Sequence, residues 1–174
     1  MDKWHMTTFV GKDQSGIVAK VTLALFQGKC NLGEASMTRL GGSFTMMMMV
    51  SFDGTEEELE KIISPICKEF GLRGHVDKIK GELYRHADPD VRIRIYEADK
   101  AAIVASATGV LTEAGLNILS LETEVGGDDE NPVYVMKLEG MSENGIDALE
   151  ITLGKLEDEQ GVQTHITSLD TSIG

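Results

Sequence analysis

The chain has 174 residues, 41% of them hydrophobic and 26% charged, which is enough for a well-buried core in one domain or two small ones. It contains no apolar run of about 18 residues and no apolar leader after Met1, so no membrane span or signal peptide is expected, and the expected location is cytoplasmic. The formal charge of -13 lies wholly in the second half: residues 88–174 carry 18 acids and 5 bases, residues 1–87 carry 11 of each, and neither half offers the basic patch that direct nucleic-acid binding needs.

Trp4 to Val10 reads as a first strand, and the stretch GKDQSGIVA, Gly11 to Ala19, follows it. Two glycines five apart before an apolar run form the first half of a nucleotide phosphate loop. That loop needs Lys and then Ser or Thr after the second glycine, and this chain has Ile17 and Val18 there. Nucleotide hydrolysis is therefore not expected, and the GxGxxG fingerprint is also absent. What remains is a glycine-containing turn into a helix, with Ser15 or Asp13 available as cap and Ile17, Val21 and Leu25 as the inward stripe. Free N–H groups and the helix dipole at such a tip favour a small anion such as a carboxylate, and Gly16 would let a ligand approach the backbone. Tight packing of helix on strand would use a glycine there equally well.

Gly28 ends this helix, Asn31 to Leu40 is a second strand, Gly41-Gly42 a hairpin turn, and Phe44 to Phe52 a third strand. The four consecutive methionines, Met46 to Met49, invite a soft-metal site. Strand alternation instead sends Phe44, Met46, Met48, Val50 and Phe52 to one face, as core, and Met47 and Met49 to the other. Copper is the weaker reading because the run holds no His or Cys, and a covered second face is the expectation. Thr55 to Glu58 is a capping box, opening a helix that buries Leu59, Ile62, Ile63, Ile66 and Phe70. Pro65 is expected to kink that helix, Gly71 to close it, and Leu72 to Ile79 to form a fourth strand.

The second half repeats the first. GIVAKVTLALFQGKCNL, Gly16 to Leu32, aligns without gaps on AIVASATGVLTEAGLNI, Ala102 to Ile118, and FGLRGHVDKI, Phe70 to Ile79, aligns on QGVQTHITSL, Gln160 to Leu169. The offset grows from 86 to 90, and the acidic insert Gly126 to Pro132 takes up the difference; its Asp128-Asp129-Glu130 reads as a solvated hairpin tip. The second copy predicts strands at Val91 to Tyr96, Asn117 to Val125, Val133 to Leu138 and Val162 to Ser168. It predicts helices at Ala101 to Ala114 and Glu143 to Glu159, with Ile146, Leu149, Leu153 and Leu156 inward. Val133 and Val135 put an apolar patch on its open face. The expected fold class is α+β: two ferredoxin-like βαββαβ domains in tandem, at 1–80 and 91–174, joined by a linker at 81–90, with antiparallel sheets and helices on one face. Cys30 and Cys67 read as two buried free thiols, and His75 and His165 as equivalent polar members of the fourth strands.

The pattern GKDQSGIVAKVTLALFQGKCNL followed by FTMMMMV resembles an ACT domain, a small-molecule regulatory module. The two copies together are similar to tandem ACT-domain proteins of the glycine cleavage system transcriptional repressor family. In the first copy Gly11, Asp13, Gly16, Ile17, Val18, Gly28, Asn31 and Met47 stand in the order the resemblance requires; in the second, Ala102 replaces the loop glycine. The resemblance implies a non-catalytic regulator of amino-acid metabolism that binds a glycine- or serine-like amino acid at a seam between two ACT units. Such a regulator acts through a protein partner, in transcriptional repression, as a homodimer, with no cofactor and no membrane. It implies a binding set of Asp13, Ser15, Gly16 and Ile17 from the loop, with Asn31 and Leu32 opposite and Asn117 in Asn31's place in the second copy. Asp13 would meet the ammonium or cap the helix. The alternative, a small acylphosphatase-like enzyme on the same plan, would want an arginine in the loop, and Gly11 to Gly16 has none.

Overall fold

The computed structural model describes residues 3–79, 87–97, 101–127 and 132–169. The chain divides into two compact units, Met1–Arg85 and His86–Gly174. Of the linker expected at 81–90, residues 81–86 lie outside the described residues, as do Asp128, Asp129 and Glu130 of the acidic insert and residues 98–100 ahead of the second copy's first helix.

Unit 1 runs β1 Trp4–Lys12, α1 Ile17–Gln27, β2 Asn31–Leu40, β3 Ser43–Ser51, α2 Glu56–Phe70 and β4 Arg73–Ile79. Its antiparallel sheet has the order β2-β3-β1-β4. Unit 2 repeats the plan with β5 Val91–Glu97, α3 Ala101–Glu113, β6 Leu116–Gly127, β7 Pro132–Ser142, α4 Ile146–Gln160 and β8 Gln163–Ser168, in the order β6-β7-β5-β8. This is the ferredoxin-like arrangement, present twice.

The cores follow from the two periodicities. In β3, Phe44, Met46, Met48 and Val50 are buried, whereas Met47 is 46% exposed and Met49 half-buried, so the methionine run alternates as a strand must. The helix stripes meet this face: Ile17, Val21 and Leu25 from α1, and Leu59, Ile63 and Cys67 from α2. Unit 2 fills the α1 places with Ile103, Ala107 and Leu111 and those of Leu59 and Ile63 with Leu149 and Leu153, and it buries Leu156, the counterpart of Ile66, where unit 1 buries Cys67. β1 departs from its copy: His5 and Thr7 lie buried where β5 has Val91 and Ile93. Thr7 donates its hydroxyl to the Met48 carbonyl at 3.0 Å, and the His5 ring packs beside Phe52. Both cysteines are free and buried, and burial raises both thiol pKa values. Among the described residues no helix is long and apolar enough to cross a membrane.

Turns follow their residues. Gly41 and Gly42 both take positive φ, 55° and 77°, as a two-residue hairpin requires. Gly140 replaces Val50 of the first copy, because a Cβ there would stand 2.3 Å from the Asn117 carbonyl oxygen on β6. Each outer strand carries one extra residue relative to its neighbour, between Leu32 and Ala35 in β2 and between Ile118 and Ser120 in β6. α2 runs unbroken through Pro65, so the helix continues past the missing donor. α4 starts at Ile146 rather than Glu143, after Gly145 at φ 85°.

Two helix ends give tests. Thr55 and Glu58 form the reciprocal cap expected for α2: Glu58 N–H donates to Thr55 Oγ1 at 3.2 Å, and Thr55 N–H to Glu58 Oε2 at 2.8 Å. Ser15, in contrast, does not cap α1. Thr55→Ala should lower unfolding stability by about 1 kcal/mol, and Ser15→Ala by less than about 0.5 kcal/mol, in urea titrations. At the far end of α4, Glu157 accepts from the Thr164 N–H at 2.7 Å and hydroxyl at 2.8 Å, and these bonds hold its pKa below the usual 4.5. A depressed folded pKa stabilises the fold above the unfolded value and loses that contribution as pH falls through the folded one. Glu157→Gln should therefore flatten the fall in stability below pH 4.5, read by urea midpoints across a pH series.

Candidate functional site

The turn between β1 and α1 opens onto a depression of about 300 Å3. Asp13, Ser15, Gly16 and Ile17 line it, as the sequence predicts, together with Met37 and Arg39 of β2 and Phe44 of β3. The cap of α1 differs from expectation. Neither Ser15 nor Asp13 caps the helix: the N-cap residue is Gly16, at φ 91° and ψ -6°, with no side-chain cap. A Cβ at Gly16 would meet nothing within 4 Å, so backbone conformation, not crowding, selects glycine there.

The reason lies in what the neighbouring side chains do instead. The Asp13 N–H donates to the Gly42 carbonyl at 3.0 Å, and its carboxylate takes the Arg39 Nε at 3.1 Å. Gln14 turns the other way and donates from Nε2 to the Phe70 carbonyl at the end of α2, at 2.8 Å. The loop is thus tied to β2 on one side and to α2 on the other. Lys20 N–H donates to Gly16 O at 3.0 Å, closing the first helical turn. The N–H groups of the residues before Lys20 have no partner within the helix and no side-chain cap. A glycine tip, open space before it, and an exposed guanidinium beside it make an arrangement suited to a small carboxylate.

Not every expected residue gathers there. Asn31 and Leu32 stand at the opposite end of β2, both exposed, with Asn31 across from Ser51 and Leu32 across from Val50. Asn117 borders a separate depression of about 310 Å3 in unit 2, with Thr112, Gly115, Leu116, Ile118 and Glu143. The loop from Asp99 to Ala102 falls on positions whose backbone or side chains lie outside the described residues. Met37 and Arg39 are not legible as site residues in the sequence; Arg39 meets the loop through Asp13, and only the strand register puts it there. His75 and His165 hold the same place, across from Thr8 and Arg94; His75 forms an exposed contact with Asp77 at 3.1 Å.

The outer side of α1 is apolar as well. Val18, Leu23 and Phe26 are all exposed, Phe26 by 74%. A helix apolar on both sides is one that expects a neighbour. Leu32 and Met37 of β2 are exposed on the same, helix-bearing side of the sheet.

Comparison with known proteins agrees with this architecture. The ACT-domain family profile matches residues 5–77. A UPF0237 protein of Listeria monocytogenes is 36% identical over 89 residues, 51% of this chain and 80% of that protein. A UPF0237 protein of Clostridium perfringens is 33% identical over 70 residues, 40% of this chain and 78% of that one. Among solved structures, a protein from Galdieria sulphuraria superposes with a TM-score of 0.78 at 21% identity, covering 97% of this chain and 99% of that one. A structure described as that of a "putative glycine cleavage system transcriptional repressor" superposes at 0.73 and 16% identity, covering 97% of this chain and 98% of that one. At these identities the likeness shows a shared fold along the whole chain. The chain belongs to the family of the UPF0237 proteins; its residues 5–77 match the ACT domain, and unit 2 repeats the same fold.

Proposed function

We propose that this is a non-catalytic regulator of amino-acid metabolism that binds a small amino acid, glycine- or serine-like, at the β1–α1 turn of unit 1. The observation that carries the reading is the side-chain-free helix tip at Gly16 with Arg39 beside it. Ligand carboxylate meets the tip amides and the guanidinium; the Asp13 carboxylate, already at the pocket wall, meets the ammonium. A second ACT unit closes the site from the side, seated against β2 and the apolar outer face of α1, and presents the Asn31–Leu32 or Asn117 position to the ligand. The exposed Val18, Leu23 and Phe26 and the outer position of β2 support that pairing.

Regulation requires that ligand bind one state of the protein better than another, and the protein partner reads the difference. The repressor whose fold this chain shares is described as acting on transcription; by the same logic this chain represses transcription through a partner protein, as a dimer, without touching nucleic acid itself.

Glycine or serine at about 100 times its dissociation constant should raise stability by roughly 2.7 kcal/mol, seen as an upward thermal shift. Arg39→Ala should remove most of that response while changing ligand-free stability by less than about 0.5 kcal/mol, as for an exposed side chain. Gly16→Ala forces a side chain into positive φ, lowers stability by about 1–2 kcal/mol, and blocks approach to the tip. A panel of amino acids that leaves the melting curve unmoved at high concentration would reject the sensor reading.

A further inference from the structure

The helix-free faces of the two sheets differ although their folds repeat. Position for position, Met6, Thr8, Met47 and Met49 of unit 1 become Arg92, Arg94, Lys137 and Glu139 of unit 2. Those four, with Ser120 and Glu122 of β6, line a depression of about 320 Å3. Two ion pairs are made there: Arg92 Nε donates to Glu139 Oε1 at 2.7 Å, and Lys137 Nζ to Glu124 Oε1 at 2.7 Å. Arg94 and Glu122 are left over. Among the described residues neither makes a hydrogen bond or ion pair. Arg94 is half-buried and stands directly across from Lys137, a like-charge pair that costs stability. The fold does not require it, since Thr8 fills the same place in unit 1.

The leftover cation and the leftover carboxylate belong to one row across the sheet, with Lys137 between them. Neighbouring strands are about 4.8 Å apart, so the β5 and β6 backbones stand roughly 9.6 Å apart. With Glu124, the three cations here face three carboxylates. A bare anion or a bare cation would answer one leftover group and upset that balance, and a molecule bearing both charges answers both. We infer that this depression is a second ligand site, for a small zwitterion whose carboxylate meets Arg94 and whose ammonium meets Glu122. It uses no residue of the Gly16 turn and does not depend on what that turn binds.

The test is a 15N NMR titration of the full chain with glycine, β-alanine, acetate and methylammonium. Glycine or β-alanine should shift the amides of 92–96, 120–124 and 135–139 saturably, and acetate or methylammonium should bind there at least about tenfold more weakly. Arg94→Gln and Glu122→Gln should each weaken the zwitterion by roughly tenfold or more. Arg94→Thr should raise the melting temperature of the ligand-free protein, because it removes the repulsion from Lys137. Acetate binding as tightly as glycine, with Glu122→Gln without effect, would make this a bare anion site and overturn the inference. Shifts confined to 11–19 and 37–44 would overturn it while leaving the turn at Gly16 as a binding site.

Discussion

A positive-φ glycine stands at the tip of α1 where a capping serine or aspartate would ordinarily stand, and much of the structure is arranged around that substitution. With no side chain bonded to the first turn, the amides there face the depression lined by Met37 and Arg39. The turn is not loose in consequence. Asp13 is held by Arg39 and by the Gly42 backbone, and Gln14 by the end of α2, so the polar side chains that could have closed the tip are engaged elsewhere. Stabilisation normally made within the helix is made instead by contacts distant in sequence, and the tip keeps its donors.

How much of this was written in the sequence depends on the range over which each feature is decided. The elements of the described residues follow from local pattern: period-two runs, helical stripes, paired glycines and the Thr55–Glu58 cap are set within a few residues. So is the alternation of the methionines. The cap of α1 is not local. Ser15 and Asp13 have the right chemistry and the right position, and what diverts Asp13 is an arginine on another strand, 3.1 Å away. Arg39 itself is invisible as a site residue until the register of β2 against β3 is known. The start of α4 is decided at similar range: Glu143 looks like a helix opener, but its N–H is bonded to the Gly115 carbonyl at 2.9 Å and the helix begins at Ile146.

Duplication lets two copies of one fold drift apart wherever packing does not forbid it. Most inward positions stayed apolar in both units, with exchanges such as Val21 for Ala107 or Met48 for Leu138. Inward character changed at His5 and Thr7 of β1, where Thr7 donates a hydrogen bond to the Met48 carbonyl, and at Cys67, whose place in α4 is taken by Glu157, bonded to Thr164. Outward positions were under no such restraint: one sheet turned methionine to its bare side, the other arginine, lysine and glutamate.

The extra residue in β2 has an effect out of proportion to its size. Side chains along a strand alternate, so an inserted residue exchanges the two sides for everything downstream. Before the irregularity Leu32 shares Val50's side; after it Ala35, Met37 and Arg39 share the side of Met48, Met46 and Phe44. Were the strand to run regularly through the same residues, Glu34, Ser36 and Thr38 would occupy those places and the guanidinium would point to the bare side of the sheet, away from Asp13. The chemistry beside the glycine tip therefore rests on one residue held off the ladder of an outer strand, and smoothing that irregularity while keeping its residue would disarm the site without disturbing the buried residues of either helix.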